Sequence, residues 1–124
     1  MPAVASSPID LPNGLAITPD AVPHSVQMPL NPGMPGRPDV TLGQAVTTTV
    51  SPDGSRLLVL TSGYNTEGGR GARFSEYVFV YDITSFPPRQ LQALPVTNSF
   101  CGLAWNPNGQ EFYVSGGVDD RVYV

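Results

Sequence analysis

Five side chains have the types and placement that a binding rim requires. Arg70 and Arg73 fall in a Gly-rich stretch, residues 63–76, and a guanidinium grips a carboxylate or phosphate through two parallel N–H bonds. Asp119 and Asp120 are adjacent and could offer oxygen ligands to Ca²⁺ or Mg²⁺, although two neighbouring carboxylates are too few to hold a cation by themselves. Asn98 stands in a short polar connection, Thr97-Asn98-Ser99. Each has a plainer reading. Arginines keep a long loop solvated, and an Asp or Asn in a turn bonds its own local backbone.

The remaining reactive residues point away from catalysis. His24, the one histidine, sits among prolines with no serine or cysteine motif beside it, so it lacks the nucleophile that a general base would activate. Cys101 is the single cysteine; it excludes an intrachain disulfide and reads as a small apolar residue on a buried strand. Trp105, just before a turn, reads as a packing aromatic rather than a ligand platform. Gly68-Gly69-Arg70-Gly71 lacks the spacing and the following lysine of a phosphate-cradling loop, and no HExxH, paired CxxC or GxSxG is present. No catalytic residue and no metal-ligand set is assigned, so any rim must be positioned by the fold.

The composition describes that fold. Pro (14) and Gly (13) make up 27 of 124 residues, near 22%, against roughly 12% in an average chain. Charged residues are 13%, and the net charge of −4 with all six cations arginine leaves no basic stripe to neutralise phosphates, which speaks against a nucleic-acid partner. No run of eighteen apolar residues reads as a membrane span, and residues 1–10 do not read as a secretory signal. Most of the prolines lie in residues 1–43, where they forbid helix or central strand because each fixes φ and removes a donor. The scattered Leu11, Leu15, Ile17, Val22, Val26 and Leu30 predict that this segment lies against a larger body.

After Gly43 the texture changes to short β-type runs at 45–50, 56–61, 77–83 and 90–96, with no helical periodicity. Val50-Ser51-Pro52-Asp53-Gly54-Ser55 then recurs as Trp105-Asn106-Pro107-Asn108-Gly109-Gln110, 55 residues on. Both predict hairpin turns: Pro presets φ, Asp or Asn tolerates the next position, and Gly takes the left-handed one. The offset aligns Val46 with Cys101 and Val59 with Val114. Tyr77-Val78-Phe79-Val80 recurs as Arg121-Val122-Tyr123-Val124, 44 residues on, so the first copy carries an insertion at 63–76 that would share a face with 97–99 and 118–120. A four-stranded unit repeating about every 45 residues is the signature of a β-propeller blade. The expected fold is all-β: an incomplete β-propeller of about one and a half four-stranded antiparallel blades, with a Pro-rich irregular segment at 1–43, a first blade at 44–96 and a second at 97–124 reaching only its third strand.

Ser51-Pro52-Asp53-Gly54 with the strand after it, and Asn106-Pro107-Asn108-Gly109 leading to Tyr113-Val114-Ser115-Gly116, resemble the repeat of bacterial YVTN-type β-propellers, the lactonase-like group. Longer strings, among them Val59-Leu60-Thr61-Ser62-Gly63-Tyr64-Asn65, Ala104-Trp105-Asn106-Pro107 and Leu11-Pro12-Asn13-Gly14, are similar to the start of large bacterial proteins in which such a propeller precedes an alkaline-phosphatase-like phosphoesterase domain. The resemblance implies a periplasmic or extracellular protein. It also implies a non-catalytic binding or scaffolding role for this portion, with the remaining blades or a downstream domain as partners. Any divalent metal would belong to the parent protein, none being assigned to this chain. The alternative it implies is a lactonase-like hydrolase with a metal in the central channel, to which Asp119 and Asp120 would contribute.

Overall fold

The computed structural model describes residues 8–10, 12–17, 26–61, 76–117 and 120–124, and the structural statements that follow concern these. Turn chemistry sets the first element: Asn13 Oδ1 accepts the Leu15 N–H at 3.0 Å and Gly14 has φ 80°, so β1 (Ile9–Asp10) folds back onto β2 (Ala16–Ile17). The β-branched and aromatic runs then form β3 (Ala45–Val50), β4 (Arg56–Thr61), β5 (Tyr77–Asp82) and β6 (Arg89–Pro95), an antiparallel sheet in sequence order. A second sheet, also antiparallel and in order, consists of β7 (Ser99–Trp105), β8 (Phe112–Gly116) and β9 (Val122–Tyr123). The described residues are all-β and contain no helix.

The sequence repeat is a repeat of register. Val50↔Leu57, Thr49↔Leu58 and Thr48↔Val59 in the first sheet correspond, 55 residues on, to Trp105↔Phe112, Ala104↔Tyr113 and Leu103↔Val114. The offset of 44 holds equally: Val59↔Phe79 and Leu60↔Val78 become Val114↔Tyr123 and Ser115↔Val122. Gly54 and Gly109 take φ 73° and 71°, the left-handed region that costs a side-chain-bearing residue about 1–2 kcal/mol. Their amides donate to Ser51 O and Asn106 O at 2.9 and 2.8 Å.

The correspondence slips at the start of each first strand. Ala45 pairs Thr61 and Ser99 pairs Gly116, yet three residues lead from Ala45 to Thr48 and four from Ser99 to Leu103. β7 therefore bulges by one more residue, and before the bulge the offset falls to 54, which makes Gln44 (φ 58°) the counterpart of Asn98 (φ 54°). Val46 and Cys101 both lie inside these bulges. Contrary to expectation, Cys101 is not buried. The bulge turns residues outward, leaving Phe100 60% exposed and Cys101 exposed.

Strand alternation sorts the apolar side chains onto two faces of the first sheet. Leu58, Leu60, Val78 and Val80 point to the second sheet, where Val114, Leu103, Phe112 and Tyr123 meet them. Val59, Tyr77, Phe79 and Tyr81 point the other way, and Met28, Leu30, Met34 and Leu42 of the Pro-rich segment cover them. That strap has few donors to spare, so side chains serve its carbonyls: Asn31 Nδ2 donates to Pro38 O at 2.7 Å and Gln90 Nε2 to Asn31 O at 2.8 Å. Leu42 N donates to Leu30 O at 2.8 Å. Of the apolar residues expected to pack from this part of the chain, Leu30 does so, whereas Leu15, Ile17 and Val26 are exposed; Leu11 and Val22 lie outside the described residues.

Candidate functional site

Two connections meet at one end of the second sheet. Asn98 O accepts the Gly117 N–H, and Tyr123 Oη donates to Thr97 O at 2.9 Å. Gly116 N bonds Arg121 O at 2.7 Å and closes the turn that carries Asp120. A Cβ at Gly117 would overlap Asn98 O, so this approach of two backbones requires glycine. Asn98 and Asp120 both have left-handed backbone, φ 54° and 49°, a conformation that Asn and Asp adopt more readily than other side chains. The structure thus brings these two expected rim residues, both exposed, onto touching connections. Arg70, Arg73 and Asp119, like His24, lie outside the described residues.

Ser99 adds a feature that nothing in the sequence marked. It is 5% exposed and its Oγ has no hydrogen-bond partner among the described residues. The rim as described offers one exposed carboxylate, Asp120, and one exposed amide, Asn98. No group of three or more His, Cys, Asp or Glu side chains converges among the described residues.

The perturbed acids serve turns. Asp53 accepts Ser51 Oγ at 2.6 Å, Ser55 N at 3.0 Å and Ser55 Oγ at 2.8 Å, which lowers its pKa to about 2 because the donors favour the charged form. Thr84 does the same for Asp82, lowering it through hydroxyl and amide at 2.6 and 2.9 Å, with Arg89 adding a smaller effect. Burial raises Tyr81. Trp105, half-buried, packs edge-on against Phe112 with centroids 5.6 Å apart and directs its Nε1–H at Thr49 O, 3.4 Å away, so it binds the second sheet to β3.

Two clefts open between the large sheets. One, about 380 Å³, is apolar and lies between Val78, Leu94 and Val96 on one side and Phe112, Val114 and Tyr123 on the other. The second, about 450 Å³, is more polar and includes Arg56, Gln92 and Gln110. Sequence reading missed both because their walls come from strands far apart in the chain. The chain matches no known protein family, no curated protein and no solved structure. No described helix is long and apolar enough to cross a membrane.

Proposed function

We propose that this chain is a non-catalytic portion of a larger exported bacterial β-propeller protein, giving binding or scaffolding next to a downstream phosphoesterase domain. One observation carries the propeller part of the reading: the two sheets stack as successive copies of one unit. Val114 and Tyr123 of the second sheet face the first sheet, and their counterparts Val59 and Phe79 face the strap. Val78 and Val80 are 0% and 8% exposed because the second sheet covers them, while their counterparts Val122 and Val124 are 66% and 79% exposed. Among the described residues β9 pairs with β8 alone, whereas its counterpart β5 pairs with both β4 and β6. A further meander of the same kind would cover that face.

The exported setting and the neighbouring phosphoesterase rest on the resemblance of the turn and strand motifs. The test of the non-catalytic assignment is direct. The 124-residue chain should show no metal-dependent hydrolysis of bis(p-nitrophenyl) phosphate above a buffer control. Turnover that survives repurification and scales with protein concentration would overturn it.

A further inference from the structure

The second cleft has unspent recognition chemistry. Arg56 opens β4 directly across the ladder from Asp82, which in turn stands across from Arg89. Asp82 is committed elsewhere: Oδ1 accepts Thr84 N and Oγ1 at 2.9 and 2.6 Å, and Oδ2 takes Arg89 at 3.4 Å. Asp53 and Glu111 do not line this cleft; Asp53 bonds the serines of its own turn and Glu111 accepts Asn106 Nδ2 at 3.3 Å. Among the described residues the Arg56 guanidinium therefore has no hydrogen bond or ion pair. The row Arg56, Asp82, Arg89 holds two cations and one anion, an excess of one positive charge.

The walls around Arg56 are mixed. Gln92 and Gln110 present amides with no side-chain partner among the described residues, and Leu91, Trp105 and Phe112 supply an apolar and aromatic surface. A volume of about 450 Å³ falls in the range of small-molecule sites. One excess charge suits a monoanion, an aromatic wall suits an organic body, and a net charge of −4 repels a polyanion. We propose that this cleft binds a small organic carboxylate with an aromatic or branched apolar body. The carboxylate pairs with Arg56 in the two-bond geometry that guanidinium favours. The amides of Gln92 and Gln110 donate beside it, and the body lies against Trp105 and Phe112. Because Arg56 is exposed, water competes for the pair, and the affinity is on the order of millimolar.

Trp105 is the only tryptophan and lines the cleft, so its fluorescence reports occupancy. The probe is benzoate, titrated at constant ionic strength into the 124-residue chain, with benzamide as the uncharged isostere. A saturable millimolar change is expected that weakens about tenfold or more in Arg56→Gln and is missing with benzamide. Circular dichroism establishes that the variant keeps its sheets. In the wild type the Trp105 indole N–H resonance should move with benzoate and stay in place with benzamide. An unsaturable response, equal responses to benzoate and benzamide, or an unchanged Arg56→Gln titration overturns the proposal. So does inorganic phosphate displacing benzoate at equal concentration, which would mark an adventitious ion site only.

Discussion

Phe79→Ala measures how much the Pro-rich strap depends on the sheet beneath it. Phe79 is fully buried, flanked by Val59, Tyr77 and Tyr81, and roofed by Met28, Leu30, Met34 and Leu42. Truncating a buried phenylalanine costs about 3–5 kcal/mol, and the strap over it is irregular backbone rather than a helix or strand. With about 2.1 cal/mol/K of unfolding entropy per residue, 124 residues give roughly 0.26 kcal/mol/K, so a loss of 3 kcal/mol lowers Tm by about 12 °C. Urea unfolding and calorimetry check the magnitude. Hydrogen exchange checks the location, because the Leu42 amide, bonded to Leu30 O, should lose protection more than β8 amides do. Val122→Ala, on a side chain 66% exposed, should change stability by less than about 0.5 kcal/mol. A Phe79→Ala loss as small as that, or uniform loss of protection, would refute the packing of the strap on this face.

Other consequences are equally direct. The Asp53 carboxyl is depressed to about 2 in the folded chain from an unfolded value near 3.9; its stabilising contribution is present above about pH 4 and is lost as pH falls toward 2. Urea midpoints at pH 5 and pH 2.5 should therefore converge between wild type and Asp53→Asn at the lower pH. Gly109→Ala, at φ 71°, should cost about 1–2 kcal/mol. Gly43→Ala, outside the left-handed region with nothing within 4 Å of an added Cβ, should be neutral or stabilise by up to about 1 kcal/mol, and thermal melts separate the two. Cys101, exposed on its bulge, should react with one equivalent of a thiol reagent without denaturant. A thiol that reacts only after unfolding would restore the buried reading.

The sequence was most informative where a residue type dictates backbone conformation. Pro52, Gly54, Pro107 and Gly109 announced both hairpins, and the two offsets of the repeat predicted pairings such as Val114↔Tyr123 that no single strand could have indicated. Strand limits at 77–83 and 90–96 moved by only one residue, to Tyr77–Asp82 and Arg89–Pro95. The extra bulge residue of β7 was hidden because Phe100, Cys101 and Gly102 look like any strand; the mark is Gly102, where a Cβ would overlap the Ser115 side chain. The strap follows no periodic element, so Met28, Met34 and Leu42 carried no pattern that distinguishes them from the exposed Leu15 and Ile17. Of the rim, Asn98 and Asp120 were legible as turn residues with polar side chains. The Arg56 cleft was not, because Arg56 and Trp105 meet only when the sheets stack.

On the proposed reading these two sheets are consecutive units of one stacked repeat, and the exposed Val122 side of the second sheet belongs against a further unit. The most direct measurement is the mass and sequence of the natural gene product, read along its coding frame past the codon for Val124. If the proposed reading holds, the frame runs on into more units, each with a Pro-Asp-Gly or Pro-Asn-Gly hairpin turn at about the same spacing, and then into a domain rich in Asp, His and Thr. A natural product ending at Val124 that is monomeric in solution would contradict it.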